Sequence, residues 1–178
     1  MNTPLLRIVV TDANVLVNLM RVSRLDLLGK IPNYEFVVPE HVREEITNDE
    51  QRAELDSAVA DRWLKLAPIT DLVAIEQFAE LVEHIGRGEA ACLVIAALQG
   101  WCVASDEKRR FRREAVARVG SDRILGTVDV FVLAIKAGLI TVDEADADKA
   151  ALELRKFKVR FASFRVLLGL SRGNGDSK

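Results

Sequence analysis

The sequence predicts an α/β fold, a mostly parallel sheet with helices on both faces, and two observations carry that expectation. Short apolar runs with the length and composition of buried strands alternate along the chain with stretches of helical spacing. Two of those runs, Val9-Val10-Thr11-Asp12 and Val103-Ala104-Ser105-Asp106, end alike, on a hydroxyl residue and an aspartate at the turn into a helix. No low-complexity linker or long internal repeat interrupts the alternation. The 178 residues read most simply as one domain, residues 1–170, followed by a polar, glycine-containing tail at 171–178 that is expected to fray.

Taken in order, Ile8 to Asp12 is the first strand, with helical spacing from Val15 to Met20 and a short helical turn from Leu25 to Ile31. Tyr34 to Val38 is the second strand. Pro39 follows it and suits the first turn of the helix expected from Glu40 to Ile46. Asp49 to Arg62 reads as a surface helix with Leu55, Val59 and Trp63 at helical spacing, or as a partner-facing arm. Trp63 to Ile69 alternates, and Pro68 makes it an edge strand. Leu72, Ile75, Phe78, Leu81 and Val82 share one helical face. Gly86-Arg87-Gly88 then opens a helix so apolar from Glu89 to Leu98 that it is expected to be buried on most sides, and Gly100 ends it. Trp101 to Asp106 is a strand, Glu107 to Val119 a basic helix, and Ile124-Leu125 a fifth strand. Helices at 128–137, 143–157 and 164–170 complete the chain.

Composition narrows the function classes. Hydrophobic residues make up 49% and charged residues 29%, an ordinary globular profile, and the formal net charge of −2 excludes a globally basic nucleic-acid binder. Any contact with nucleic acid must come from a local patch. No apolar run approaches the ~18 residues of a membrane span, and the first residues lack the pattern of a secretory leader, so a cytoplasmic protein without membrane contact is expected. Cys92 and Cys102 have neither metal-pair spacing nor the numbers for a disulfide framework, and read as buried small hydrophobes. His41 and His84 read as surface or helix-packing residues.

The acids carry the chemistry. Asp12 alone is a natural helix N-cap. Parallel neighbouring strands, however, would bring Asp12 and Asp106 to one edge of the sheet, where two carboxylates repel and need a cation or a proton. Glu45 borders the apolar face marked by Val42 and Ile46, and Glu89 opens the most apolar helix. Both placements are odd unless something pairs with the carboxylate. Four such acids suggest hard oxygen ligands suited to Mg²⁺ or Mn²⁺, which activate water and stabilise phosphoryl charge. Beyond Asp106, the run Glu107-Lys108-Arg109-Arg110-Phe111-Arg112-Arg113 buries Phe111 and leaves its cations to water, as a phosphate-backbone track would. Lys108, Arg109, Arg112 and Arg113 are its candidate RNA-phosphate ligands. No Ser/His/Asp or Cys/His constellation, phosphate loop or dinucleotide fingerprint competes. A phospho-acceptor receiver would want a lysine near the last strand, and none lies around Ile124 to Val128.

These pieces, in this order and spacing, resemble the PIN-domain family of metal-dependent nucleases, in particular the small prokaryotic proteins related to VapC-type toxins. The matching segments are Val10–Asn14, Val38–Ile46, Gly86–Ala91, Val103–Glu107 and Leu125–Val130, followed by Ala134 to Ile140, within residues 6 to 145. The resemblance implies a three-layer α/β/α fold with about five parallel strands in the order 3-2-1-4-5. It implies a divalent-metal endoribonuclease cutting single-stranded RNA, often the toxin paired with a cognate antitoxin and often a homodimer. Carried over by position, Asp12, Glu45, Glu89 and Asp106 would be catalytic. Asp12, Asp106 and Glu89 would hold the metal, and Thr11, Asn14 and Ser105 would support them. Many toxin-type members have aspartate where this chain has Glu89. Asp129, at a helix start, falls outside the usual acidic set and is at most an accessory acid, and Asp49 to Trp63 matches no family motif. The alternative reading is a catalytically weak PIN-fold module for RNA binding or protein interaction.

Overall fold

The structure, a computed structural model, describes residues 5–170, so the tail expected at 171–178 lies outside the described residues. In chain order it has β1 (Arg7–Thr11), α1 (Ala13–Arg21), a 3-10 turn (Leu25–Gly29), β2 (Tyr34–Pro39), α2 (Glu40–Glu45), α3 (Asp49–Ala60) and β3 (Lys65–Ala67). Then follow α4 (Leu72–Leu81), α5 (Arg87–Gln99), β4 (Cys102–Ala104), α6 (Arg110–Val119), β5 (Ile124–Leu125), α7 (Thr127–Lys136), α8 (Val142–Glu153) and α9 (Phe164–Leu167). The five strands form one sheet in the order β3-β2-β1-β4-β5, with every pairing parallel. This is the architecture expected from the alternation of strands and helices and from the family resemblance.

Parallel strands need both faces covered, and Val9, Val10, Phe36, Val38 and Val103 are accordingly fully buried. One face is roofed by α5, which lies across β1, β2 and β4. It has no polar side from Ala90 to Ala96, all of which are buried. Cys92 and Cys102 are free thiols buried in this packing. The short β3 takes the outer edge beside β2, and Pro68 falls just beyond it, where a missing N–H costs no ladder bond.

Three local expectations are corrected. On α4 the core face is Ala74 and Leu81, with Phe78 partly buried, whereas Leu72 and Ile75 are 76% and 46% exposed. Helical spacing identified an apolar stripe there but not the angle at which the helix meets α5. The basic helix begins at Arg110, not Glu107, because Arg109 has φ +57°, and a non-glycine residue in that region does not continue a helix. The helix expected to run to Phe157 stops at Glu153. There Phe157 N–H donates to Leu152 O and Lys156 N–H to Glu153 O, with Lys156 at φ +69°, which is the Schellman ending.

The sheet order places β1 between β2 and β4, so the carboxyl ends of β1 and β4 border the crevice in which open α/β sheets bind ligands. Register decides what meets there. Thr11 pairs with Ala104, and Asp12 N–H donates to the Ala104 carbonyl at 2.9 Å. The two hydroxyl–aspartate endings are therefore staggered by one residue, and Ser105 rather than Asp106 comes level with Asp12.

Leu93 is fully buried at the centre of α5. Leu93→Ala is expected to cost about 2–5 kcal/mol, measured as a lower urea midpoint with an unchanged denaturant slope.

Candidate active site

Asp12 leaves β1 in extended backbone and caps α1, its Oδ1 accepting from Ala13 N–H at 2.8 Å. The capping role read for a lone strand-end aspartate is therefore present in the structure. Its Oδ2 accepts from Ser105 Oγ and from Asn14 Nδ2, each at 2.9 Å. Asp12 is only 3% exposed. Burial pushes its carboxyl up to about 7, and Glu89 and Glu45 add to the rise. The Ser105 hydroxyl and the Ala13 amide draw it back.

Asp106, one residue out of step, turns toward α7. Its Oδ1 accepts from Thr127 N–H at 2.8 Å. Its Oδ2 accepts from Thr127 Oγ1 and from Asn18 Nδ2, the latter at 3.0 Å. Asn14 joins the two aspartates, since its Nδ2 donates to Asp12 while its Oδ1 accepts from Asp106 N–H at 3.1 Å. The same Nδ2 lies 3.3 Å from both Ser105 Oγ and Glu107 Oε1.

Glu45 reaches from the end of α2 to the first turn of α5, where Oε1 accepts from Gly88 N–H at 2.7 Å. The unusual placement read from sequence is resolved by that bond. A Cβ on Gly88 would stand 2.5 Å from Glu45 Oε2, and one on Gly126 would stand 2.7 Å from Asp106 Oδ1. Both glycines thus admit a carboxylate to a helix N-terminus, a favourable place for negative charge. Glu89 folds back to accept from Gly86 N–H at 3.0 Å, a capping-box contact. Burial raises its carboxyl, Glu107 and Glu45 raise it further, and the Gly86 amide opposes them.

Thr11 is buried, and its hydroxyl donates to its own strand at Val9 O. Asp129 Oδ2 accepts from Gly126 N–H at 2.8 Å, again a helix-start contact. Lys108 and Arg109 lie on the loop before α6 and Arg112 in its first turn, and all three line a cleft of about 340 Å³ with Asp106, Glu107 and Asp129. Arg113 is outside that lining and stands 3.9 Å from Glu114. A more apolar hollow of about 390 Å³ between β3, α4 and α5 contains none of these acids.

Asn18, Thr127 and Glu107 are site neighbours that residue-by-residue reading assigned no role. Asn18 had a signal, because an asparagine four residues after Asn14 sits among the buried Val15, Leu16 and Leu19 of α1, and a polar side chain in an apolar stripe needs a partner. Thr127 had a weaker one, a hydroxyl opening a helix just after a strand.

Among the described residues, no lysine, arginine or histidine forms an ion pair with Asp12, Glu45, Glu89, Asp106 or Glu107. Nor, among those residues, do three acids converge closely enough to form a ready-made cation site. Each carboxylate is held by a protein donor instead. The donor set of hard oxygens around a buried, uncompensated Asp12 nonetheless fits a divalent cation such as Mg²⁺ or Mn²⁺. No helix among the described residues is long and apolar enough to cross a membrane.

Among curated proteins, none matches the chain. A family model described as a PIN domain matches residues 8–167. The chain belongs to the PIN-domain family, and its fold is of the nuclease type.

The folded state retains the Asp12 proton up to about pH 7, whereas an unfolded aspartate releases it near 3.8. Stability of the metal-free protein is therefore expected to fall as pH rises through that window, by on the order of 4 kcal/mol. Urea denaturation of wild type and Asp12→Asn at pH 5 and pH 8 checks this, since the variant should lack most of the fall.

Proposed function

We propose that this PIN domain is a metal-dependent endoribonuclease that cleaves phosphodiester bonds of single-stranded RNA. The carrying observation is Asp12, a buried carboxylate in the repulsive field of Glu89 and Glu45 with no cationic side chain paired to it among the described residues. Such a group demands a cation or a proton. Lys108, Arg109 and Arg112, beside Asp106, supply the positive charge that would guide a phosphate backbone.

In this reading Asp12 and Asp106, together with Glu89, hold Mg²⁺ or Mn²⁺. The bound ion would supply a more acidic water and charge stabilisation at a phosphoryl oxygen. Ser105, Asn14 and Ala13 N–H keep Asp12 aimed into the crevice, and Thr127 with Asn18 does the same for Asp106. Glu45 and Glu89 would complete the site and help orient the attacking water through hydrogen bonds that their carboxylates accept. Glu89 Oε2 accepts from Gly86 N–H, so a cation held by that oxygen would compete with the cap. Lys108, Arg109 and Arg112 orient the scissile phosphate, with Arg113 a peripheral contact. The resemblance to VapC-type proteins would add a toxin role, a cognate antitoxin and a homodimer, and the absence of an apolar run of membrane-spanning length in the sequence would add a cytoplasmic setting.

One observation favours the second reading, a catalytically weak RNA-binding or protein-interaction module. Glu89 and Asp129 both serve as helix caps, which leaves fewer free acids for chemistry. Calorimetric titration with Mn²⁺ and RNA separates the two, because RNA binding without turnover selects the module.

The direct test is cleavage of single-stranded RNA by purified protein with Mg²⁺ or Mn²⁺. Asp12→Asn is expected to lower the rate at least 100-fold, on the order of 3 kcal/mol in the barrier, and undiminished cleavage would sink the assignment. Gly88→Ala is expected to displace Glu45 and match the rate loss of Glu45→Gln, with little change in melting temperature. The three atoms nearest its new methyl all belong to the movable end of the Glu45 side chain.

A further inference from the structure

The chain beyond α8 carries cations that the site has not used. From Lys156 to Phe161 the side chains alternate, with Lys156, Lys158 and Arg160 exposed and Phe157, Val159 and Phe161 partly buried. The segment is anchored at both ends. At its start, Phe157 N–H and Lys156 N–H close the Schellman ending on Leu152 and Glu153. At its far end, Asp146 of α8 accepts from Ser163 Oγ at 2.6 Å and from Phe164 N–H at 2.7 Å. Phe164 packs between Phe161 and Phe131, with ring centroids 5.0 and 5.7 Å away. It is a fixed strap that presents its lysines at set positions.

The strap meets the site. Asp106, Lys108 and Val128 line, with Lys156, Phe157 and Lys158, a second cleft of about 440 Å³. Its size lies within the ~300–1,000 Å³ of small-ligand sites. The charge balance of the two clefts differs. The cleft of about 340 Å³ sets Lys108, Arg109 and Arg112 against Asp106, Glu107 and Asp129, three cations to three acids. The second sets Lys108, Lys156 and Lys158 against Asp106 alone, three cations to one acid. None of those three lysines has an acid partner among the described residues. In a chain of net charge −2, this local excess beside Asp106 selects a polyanion.

We propose that residues 156–158 form a second cationic rail, in which Lys156 and Lys158, together with Lys108, hold backbone phosphates of the RNA strand as it passes Asp106. The inference rests on the reading of the crevice as an RNA-directed site and adds where the strand runs. Phe157 gives the cleft an aromatic wall on which an unstacked base can rest. Asp106 and Lys108 line both clefts, so the strand would meet cations of the strap as well as those of the loop before α6.

The test is binding of a short fluorescent single-stranded RNA to the full chain carrying Asp12→Asn, with chelator present so that no cleavage intervenes, across a salt series. Lys156→Gly suits the left-handed position (φ +69°) and removes the charge without backbone strain, and Lys158→Ser acts at an exposed site. Each is expected to lower the magnitude of the slope of log K against log salt by about 0.7, which at 0.1 M salt is about fivefold in Kd, or about 25-fold for the double variant. Lys136→Gln, which removes an exposed charge at the far end of α7, is expected to leave the slope unchanged. Unchanged slope and Kd in the double variant would overturn the rail, as would an equal effect of Lys136→Gln, which would mark net charge rather than the cleft as the cause. Loss of polyglutamate binding with RNA binding intact would assign the cleft to an acidic peptide and also overturn it. Metal-dependent cleavage by wild type, measured on the same RNA, reports on the nuclease reading separately. A rail that binds without turnover leaves this inference standing, and turnover with an unchanged slope removes it alone.

Discussion

A carboxylate withdrawn from water at the end of a central strand is the constraint around which this protein's crevice is arranged. Asp12 loses hydration at the close of β1 and faces the charges of Glu45 and Glu89. Both effects oppose its ionised form, so donors must surround it. They come from two elements, namely Ala13 N–H and the Asn14 amide in the first turn of α1, and the Ser105 hydroxyl just past β4. The same rule recurs at its neighbours. Asp106 meets Thr127 N–H at the start of α7, and Glu45 meets Gly88 N–H at the start of α5. Three helix N-termini thus each receive one of these acids, and their amide dipoles do the work that cations do elsewhere in the chain.

These anchors have two consequences for the site. They hold each acid on a protein donor, so that none is left without a hydrogen bond. They also keep the acids apart, with Glu89 on Gly86 and Asp106 on Thr127, so that no three of the described acids converge. Asn14 and Asn18 are the links between these anchored groups, since each connects α1 to the end of β4. Asn14 donates to Asp12 and accepts from Asp106 N–H at once, and Asn18 donates to both Asp106 and Thr127.

The parts of the chain that follow the sheet are fitted to the same edge. Arg24 binds Asp148 of α8 at 2.7 Å, and Arg155 donates to the Arg21 carbonyl at 2.9 Å. Both contacts tie α8 to the end of α1. The strap after α8 is held by Asp146 and by the Phe131–Phe164–Phe161 stack. Positive charge therefore reaches the crevice from the loop before α6 and from the strap, on a chain whose overall charge is negative.

Much of this was legible in the sequence, because it depends on local periodicity. Buried parallel strands read as continuous apolar runs and α5 as a helix without a polar face. The recurrence of strand-end acids marked the carboxyl edge of the sheet, and Glu45 and Glu89 stood out as charges on apolar faces. What sequence could not decide was set by register and by side-chain direction. A one-residue stagger between β1 and β4 puts Ser105, not Asp106, opposite Asp12 and sends Asp106 to α7. The face that α4 turns to α5 carries Ala74 and Leu81 and leaves Leu72 and Ile75 outside the core. Lys156 and Lys158 were missed because they lie about 50 residues from Lys108 in sequence, and only the packing of α8 against α7 brings them into the same cleft. Local sequence determined the elements and the chemical character of the site. Tertiary structure alone decided which donor holds which acid and which cations share its cleft, because those pairings join segments that no helical or strand periodicity connects.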